Sequence, residues 1–344
     1  MGTMKDYIKW RGDLDLCRDG FNDIDNLVLA SVAYIDMDDV FAGGVPDTLT
    51  IKEISEAYFE KTFDKKEFFD GTILKDSPDI IRMIADTDRY RDVKVRNYTS
   101  VIDTERIMQF AAMEFLLPDD TSYIAYRGTD DYVVGWKEDF MLALRETEAE
   151  KATVDYINRI AKGGDRRLRV GGHSKGGHLA VYAAAKCDRE IRDRIINVYN
   201  NDGPGFMEET AAGEDIKEIL PKLVSIIPEE CIVGLLMNPV GTPIIVKSTA
   251  RAVFQHNPVT WCLEGKSFTT VEDVSRGAKT VDKIIKENVE KKDPEELDKF
   301  VEDLFSVLES AGALTFIDLK KKGLKSLQYI AREANRVLRE WKAE

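Results

Sequence analysis

Apolar residues in the first ninety positions of the chain recur at the spacing of one helix face. Residues 27–34 are mostly leucine, valine, alanine and tyrosine, and they follow Asn22 and Asp25, two residue types that cap helix N-termini. This pattern predicts an amphipathic helix. We therefore expect residues 1–90 to form a helical N-terminal segment that packs on a later sheet.

Two further helix starts are predicted in the same segment. Thr50 and Glu53 fit a capping box, which would open a helix that reaches about Phe63. Ser77 followed by Pro78 fits an N-cap with proline in the first helical position. The second pattern predicts a short helix through the isoleucines that follow it.

The pattern changes to short strands after residue 92. Runs at 93–95, 108–117 and 123–126 have the apolar and β-branched or aromatic character of strands. Pro118-Asp119-Asp120 is a turn sequence between the second and third runs. We expect these two runs to form an antiparallel hairpin.

Strand-like and helical runs alternate in the middle of the chain. A polar helix is predicted at about 146–161, and strands are predicted at 195–199, 223–227 and 243–246. Such alternation is typical of α/β proteins with a mostly parallel sheet, whose ligand groups gather at the carboxyl ends of the strands. We expect residues 91–269 to form this core.

From about residue 270 the chain is predicted to be helical, and it is strongly charged. Its apolar residues fall into two stripes at helical spacing, and Gly312 is a candidate C-cap between them. The stripes are Leu297, Phe300, Val301, Leu304, Val307 and Leu308, then Leu324, Leu327, Ile330, Val337, Leu338 and Trp341. We expect residues 270–344 to be a C-terminal helical extension, with packing favoured over a partner surface.

Composition narrows the function classes. The 344-residue chain has a formal net charge of −14, which argues against a nucleic-acid or anionic-membrane surface. The start has no apolar signal-peptide region, and no run is long enough for a stable membrane insertion, so we expect a cytoplasmic protein. Three histidines, four scattered cysteines and the absence of a phosphate-binding loop motif predict no metal and no cofactor.

The strongest chemical signal is Gly172-His173-Ser174-Lys175-Gly176, which fits the G-x-S-x-G nucleophile elbow. An apolar strand-like run, 168–170, precedes it and is expected to end at the glycines, and a helical pattern follows it. A serine on this sharp turn needs small residues two positions before and after it. The context predicts that Ser174 is a nucleophile in an α/β-hydrolase fold flanked by helical N-terminal and C-terminal extensions.

The base must be one of three histidines. His173 is next to the nucleophile, and its side chain is expected to project away from it. His178 lies on the following helix, where a solvent-facing or structural role is expected. His256 lies in the loop after the last predicted strand of the core, in the chain order Ser…Asp/Glu…His of such hydrolases, and is the predicted general base.

Two positions compete for the acid that orients this base. Asp202 follows the 195–199 strand and precedes a Gly-Pro-Gly turn, whereas Glu229 and Glu230 follow the next strand. Both strand ends are suitable places for the acid. Asp202 is slightly favoured and Glu230 is the alternative.

The oxyanion hole is predicted from two loops. One donor is the backbone N–H of Lys175, the residue after the nucleophile. The second is expected from Arg127-Gly128-Thr129, where Thr129 offers its N–H and its hydroxyl.

Several of these motifs resemble those of class 3 lipases. The resemblance lies in three motifs: Tyr-Arg-Gly-Thr at 126–129, Gly135-Trp136 with Asp139, and the Gly-His-Ser-x-Gly-Gly run at 172–177. The resemblance implies that Thr129 is an oxyanion donor. The chain departs from the pattern at Lys175, where these lipases usually have leucine, and this change would place a cation beside the oxyanion.

A closer resemblance extends over the whole chain, to a bacterial family of uncharacterised lipase-like hydrolases. It is carried by residues 7–13, 201–206, 227–234, 246–248 and 255–261. That family implies a fold and a site more firmly than it implies a substrate.

We therefore expect a serine hydrolase that cleaves a small-molecule or lipid-like carboxylic ester through a Ser-His-Asp/Glu triad. Apolar residues at 133–142 are enough for a modest lid or acyl pocket. The alternative is a weak or inactive hydrolase fold that acts as a binding or scaffold module. The oligomeric state stays open.

Overall fold

The computed structural model describes residues 1–42, 47–61, 72–130, 132–288 and 293–310. Within these ranges, eight strands form one sheet in chain order, β1 to β8, and a separate pair of short strands, β9 and β10, follows. The strands are β1 Thr48–Thr50, β2 Lys94–Asp103, β3 Met108–Leu116, β4 Thr121–Tyr126, β5 Arg167–His173, β6 Ile195–Asn201, β7 Leu223–Pro228, β8 Ile244–Val246, β9 Leu263–Glu264 and β10 Ser267–Phe268.

Helices precede, connect and follow these strands. The α-helices are α1 Met4–Arg11, α2 Asp23–Val32, α3 Asp38–Phe41, α4 Ile51–Lys61, α5 Ile73–Ala85, α6 Val133–Met141, α7 Glu148–Ala161, α8 Lys175–Lys186, α9 Arg189–Arg194, α10 Glu208–Ala211, α11 Glu214–Ile219, α12 Arg276–Asn288 and α13 Pro294–Ser310. Short 3₁₀ helices occur at Leu220–Lys222, Val233–Leu235, Ala252–His256 and Pro258–Thr260.

The sheet changes from antiparallel to parallel at β4. Strands β1 to β4 pair antiparallel, and β3 and β4 form the hairpin predicted around residues 118–120. Strands β4 to β8 pair in parallel, so the alternation of helices and strands was interpreted correctly. The fold is α/β, and the carboxyl ends of β4 to β7 lie at one edge of the sheet.

The two faces of the sheet are covered by different parts of the chain. Because parallel crossovers are right-handed, strands that are added in chain order place their connecting helices on a single face. Helices α7, α8 and α11 share a buried cluster with Ala112, Ile124 and Val170. Met113 and Ala125 are the next residues along β3 and β4, so they point to the opposite face of the sheet. They share a second buried cluster with α2 and α5. The N-terminal helices thus cover the face that the crossovers leave open.

Helix α2 begins as predicted and is tied to its neighbours by a buried ion pair. The Asn22 side chain accepts hydrogen bonds from the first-turn N–H groups. The guanidinium of Arg89 donates to both carboxylate oxygens of Asp25, and the hydroxyls of Tyr7 and Tyr90 donate to the same carboxylate. Since both charged side chains are fully buried, these bonds fix α2 against the chain around residues 7 and 90.

The predicted start of α5 is wrong. The capping box at Thr50 and Glu53 is present and α4 follows it, but α5 begins at Ile73, so Pro78 lies inside the helix. Ser77 donates its hydroxyl to the Ile73 carbonyl within the helix, a bond that competes with its use as a cap. Proline removes one internal hydrogen bond, and buried isoleucines on the same helix compensate by packing.

The C-terminal helices are described as far as residue 310. Leu297 and Val301 of the first predicted stripe are buried, and Val301 packs with Phe305 against Val133 of α6. The candidate cap Gly312 and the second apolar stripe lie outside the described residues. No helix in the described ranges is long and apolar enough to cross a membrane.

Candidate active site

Ser174 lies at a sharp turn between β5 and α8. The strand continues through Gly171 and Gly172, where it was predicted to end, to His173, and the helix starts at Lys175. The backbone of Ser174 has φ 57° and ψ −135°, a conformation that residues with a side chain rarely adopt. Such strain costs on the order of 1–3 kcal/mol and is held by the surrounding structure. The turn leaves Ser174 partly exposed.

The two motif glycines allow the turn to close. A Cβ on Gly172 would lie 2.3 Å from the backbone of Gly176, and one on Gly176 would lie 2.2 Å from the carbonyl oxygen of Tyr126. The N–H of Ser174 donates to the Asn201 carbonyl at 3.0 Å, which connects the turn to the end of β6. The small residues required by the motif therefore have a steric reason here.

His256 and Asp202 are joined by a hydrogen bond. The Nδ1 atom of His256 lies 2.7 Å from Oδ2 of Asp202, and the Gly234 N–H donates to the other carboxylate oxygen at 3.0 Å. Asp202 is fully buried, whereas the His256 side chain is about a quarter exposed. Because a carboxylate accepts, we assign the proton to Nδ1, which leaves Nε2 as the acceptor nitrogen.

The alternative acid, Glu230, lies elsewhere. Its carboxylate accepts a hydrogen bond of 2.8 Å from the Ala252 N–H, at the start of the 3₁₀ helix that ends at His256. Its own N–H donates to the Gln255 side chain at 2.9 Å. Glu230 therefore caps the segment that carries the histidine, and Asp202 is the carboxylate that contacts the imidazole.

Cys231 is a third side chain at this pair, and the sequence did not predict it. Its sulfur lies 3.8 Å from Nδ1 of His256. Burial and the nearby Asp202 carboxylate raise the pKa of the Cys231 thiol far above its usual range, so the thiol is protonated. Asp202, Cys231 and His256 each offer one metal-ligating atom, and these atoms lie within 4.8 Å of one another.

The His173 ring contacts His256 and Tyr34. Its Nε2 lies 2.6 Å from the His256 carbonyl oxygen, and its Nδ1 lies 2.9 Å from the hydroxyl of Tyr34. Burial and the neighbouring His256 lower the pKa of His173 well below its usual range. A neutral ring fits these bonds, since Nε2 donates to the carbonyl and Nδ1 accepts from the tyrosine.

Tyr34 also lies against the loop that carries Thr129. A Cβ on Gly128 would lie 2.1 Å from the Tyr34 hydroxyl and 2.5 Å from the His173 carbonyl oxygen. Only a glycine fits between these two groups. The sequence pattern placed Tyr34 on the apolar face of a helix, and nothing local to it signalled contact with the site.

The predicted oxyanion groups are close to an ionic cluster. Thr129 donates its hydroxyl to the Asp139 carboxylate at 2.5–2.7 Å, so that hydroxyl is engaged and the backbone N–H is the donor left to consider. The ammonium of Lys175 lies 3.0 Å from Glu138 and 3.6 Å from Asp139. The side chain of Lys175 is thus buried, and its charge is paired with carboxylates of α6.

Burial and the nearby Lys175 ammonium have opposite effects on the pKa of Asp139. Burial raises its pKa to about 6, while the Lys175 ammonium and the Thr129 hydroxyl act in the opposite direction. Glu138 accepts from the N–H groups of Gln109 and Ala149 as well as from the lysine. The cluster therefore holds α6 beside the start of α8.

His178 was expected to face solvent or to have a structural role, and the structure shows the structural role. It is buried, its Nε2 lies 3.1 Å from the Glu150 carboxylate, and its Nδ1 lies 2.9 Å from the Gly205 carbonyl. These bonds hold the turn that follows Asp202 against α8. The expectation of solvent exposure is wrong.

Comparison with known proteins identifies the family. A sequence profile of the Mbeg1-like family matches residues 84–306, which is more than half of the chain. The chain belongs to the Mbeg1-like family. This family is lipase-like, and its matched region contains Thr129, Ser174, Asp202 and His256 but not Tyr34.

Two further comparisons are less informative. No curated protein matches the sequence. Among solved structures, the crystal structure of M37 lipase is similar, with 15% identity and a TM-score of 0.36 over 60% of this chain and 67% of the lipase chain.

Proposed function

We propose that this Mbeg1-like protein is a serine hydrolase of the α/β-hydrolase type that cleaves a carboxylic ester. The observation that carries the proposal is the hydrogen bond between His256 and the buried Asp202, since the backbone N–H of the strained, partly exposed Ser174 donates to Asn201, the residue before that aspartate. Ser174 and Asp202 follow β5 and β6, and His256 ends a 3₁₀ helix. Together they offer the nucleophile, the acid and the base that acyl transfer requires.

In the proposed reaction, His256 acts as the base. As substrate binds, Ser174 Oγ hydrogen bonds to Nε2 of His256, since such bonds tighten in the substrate complex. Nε2 takes the hydroxyl proton while Oγ attacks the acyl carbonyl, and the resulting imidazolium is stabilised by Asp202. The tetrahedral intermediate then collapses, and the proton on Nε2 passes to the departing alkoxide, which leaves as an alcohol. The acyl group is now bound to Ser174.

Water completes the cycle by the same route. His256 takes a proton from the water as its oxygen attacks the acyl carbon, and returns it to Ser174 Oγ as the carboxylic acid is released. In both steps the developing oxyanion accepts from the N–H groups of Lys175 and Thr129. The first N–H of α8 suits this role, because the initial N–H groups of a helix have no partner within the helix.

The substrate is proposed to be a small or lipid-like ester. Val253 and Phe254 are each 61% exposed and lie two to three residues before His256. Trp136 and Phe140 are exposed on α6, which follows the oxyanion loop. Apolar groups on both segments fit an acyl chain better than they fit a charged substrate.

The enzyme is favoured over the binding-module alternative for a specific reason. That alternative rested on an acid that the sequence matched incompletely, and the carboxylate of Asp202 at 2.7 Å from His256 supports a complete set of groups.

An ester panel of increasing acyl length tests the proposal. We expect hydrolysis by the wild type and a loss of at least three orders of magnitude in kcat/KM for Ser174→Ala and for His256→Gln. A matched control is Ser248→Ala, whose hydroxyl contacts Thr260 outside the proposed catalytic groups. Turnover by Ser174→Ala equal to that of the wild type would contradict the mechanism.

A further inference from the structure

We propose that Asp202, Cys231 and His256 form a binding site for a thiophilic divalent metal ion, with Zn²⁺ as the chemical type, and that its occupation inhibits the enzyme. The inhibition rests on the proposed hydrolase function, whereas the binding itself does not. The three residues are far apart in the sequence, so no ligand-spacing motif indicates a metal site.

The side chains supply a nitrogen, a sulfur and an oxygen ligand at suitable separations. Nδ1 of His256 lies 2.7 Å from the Asp202 carboxylate and 3.8 Å from the Cys231 sulfur. In a tetrahedral zinc site, with bonds of about 2.0–2.3 Å, neighbouring ligand atoms lie about 3.3–3.6 Å apart. A shift of about half an ångström by the partly exposed imidazole brings both distances towards these values, and the Asp202 and Cys231 ligand atoms lie within 4.8 Å of each other.

The ligand set selects the class of metal. Sulfur and imidazole ligands favour zinc and similar thiophilic ions, while Mg²⁺ and Ca²⁺ require mostly oxygen ligands. Asp202 is already oriented by the Gly234 N–H on its other oxygen, as carboxylate ligands in metal sites usually are. Three protein ligands leave the fourth position to water.

Metal binding at Nδ1 would disable the base. The ion takes the place of the Nδ1 proton, so a neutral imidazole must carry its proton on Nε2. The Cys231 thiol releases its proton to solvent as the metal–sulfur bond forms. With Nε2 protonated, His256 has no lone pair to accept the Ser174 proton, and Asp202 is no longer hydrogen bonded to the ring. Hydrolysis stops until the metal is removed.

Cobalt spectroscopy tests the site without any use of activity. Co²⁺ is added to metal-free wild type, Cys231→Ser and Cys231→Ala, with Cys17→Ser and Cys187→Ala as control variants, because Cys17 is exposed and Cys187 is buried elsewhere. We expect a sulfur-to-cobalt charge-transfer band in the wild type and both controls. Both Cys231 variants should lose this band and bind at least tenfold more weakly, and circular dichroism shows that they are folded.

Three results overturn the binding proposal. These are no charge-transfer band in folded wild type, an unchanged band in folded Cys231→Ala, or a band that is lost in Cys17→Ser. The last result would mean that the exposed thiol alone binds the ion.

The inhibitory part is measured as the rate at which a fluorophosphonate probe labels Ser174, with and without Zn²⁺. Each variant is compared with its own metal-free rate. We expect Zn²⁺ to slow labelling of the wild type at least tenfold, a chelator to restore it, and Cys231→Ala to need at least tenfold more Zn²⁺. Unchanged labelling in protein that binds Co²⁺ would overturn the inhibition. If metal-free protein is not labelled, the hydrolase proposal fails while the cobalt result still decides the site.

Discussion

Nε2 of His173 lies 2.6 Å from the carbonyl oxygen of His256, and the two imidazole rings are 4.5 Å apart between centroids. The residue before the proposed nucleophile thus holds the backbone of the proposed base. Tyr34 binds the other nitrogen of His173 and packs against Gly128. One tyrosine from the N-terminal segment therefore connects the base, the elbow and the oxyanion loop.

This connection predicts the effect of Tyr34→Phe. The change removes the hydroxyl that donates to His173 and leaves a buried nitrogen without a partner, so we expect kcat/KM to fall about tenfold. The control is Tyr156→Phe, which removes the hydroxyl of another buried tyrosine, one that donates to the Asn97 carbonyl. Steady-state kinetics on the best ester of the panel measures both. An equal loss of activity in both variants would mean that Tyr34 only stabilises the fold.

The neutral state of His173 predicts how stability depends on pH. Its pKa is lowered in the folded state by burial and by His256, so the unfolded chain binds more protons near the usual pKa of 6.5. The free energy of unfolding is therefore highest, as far as His173 is concerned, above pH 6.5. It decreases as the pH falls below 6.5, because the unfolded chain then binds a proton that the folded state does not.

We expect the wild type to lose more stability than His173→Gln when the pH falls from 7 to 5. Urea unfolding at both pH values measures the change in unfolding free energy of each protein. Groups that titrate in the same way in both proteins contribute equally, so they cancel in the comparison. The same loss in both proteins would show that His173 is protonated when folded.

Asp202 and Glu230 can be separated by substitution. Asp202→Asn removes the charge that stabilises the imidazolium and favours the wrong tautomer, so we expect kcat to fall about 10³–10⁴-fold. Glu230→Gln retains an oxygen that accepts from the Ala252 N–H and should lower kcat less than tenfold. Ester hydrolysis at saturating substrate measures both. A larger loss in Glu230→Gln than in Asp202→Asn would reverse the assignment.

The side chain of Lys175 is predicted to stabilise the protein, whereas only the backbone N–H of this residue is proposed to contact the substrate. Lys175→Leu introduces the residue usual in class 3 lipases but leaves the buried Glu138 carboxylate without its cation, which should cost about 3–5 kcal/mol of unfolding free energy. The control Lys151→Leu removes an exposed ion pair with Glu148 and should change stability little. Urea denaturation distinguishes them, and a Lys175→Leu protein as stable as the wild type would contradict the buried pairing.

The parts of the site that could be predicted are those fixed by local sequence. The elbow follows from the spacing of Gly172, Ser174 and Gly176, and the parallel strands follow from strand–helix alternation. The start of α5 was missed because Ser77-Pro78 satisfies the rules for a helix start while packing of the flanking isoleucines extends the helix past it.

Other features depend on tertiary contacts that no spacing encodes. Asp202 and Glu230 both follow strands, and only the folded positions show which carboxylate contacts His256. The inward course of the Lys175 side chain depends on Glu138 from another helix. Tyr34 lies in an apolar run and Cys231 lies between Glu230 and Ile232, and neither pattern indicates a contact with the site.

The proposed hydrolase requires that His256 activates Ser174 as a nucleophile. Folded, metal-free wild type, Ser174→Ala and heat-denatured wild type are each treated with a fluorophosphonate probe, and the adduct is mapped by mass spectrometry. We expect an adduct on Ser174 in the folded wild type and no adduct there in the other two samples. A folded wild type without an adduct on Ser174, or one labelled equally well after denaturation, would contradict the hydrolase proposal.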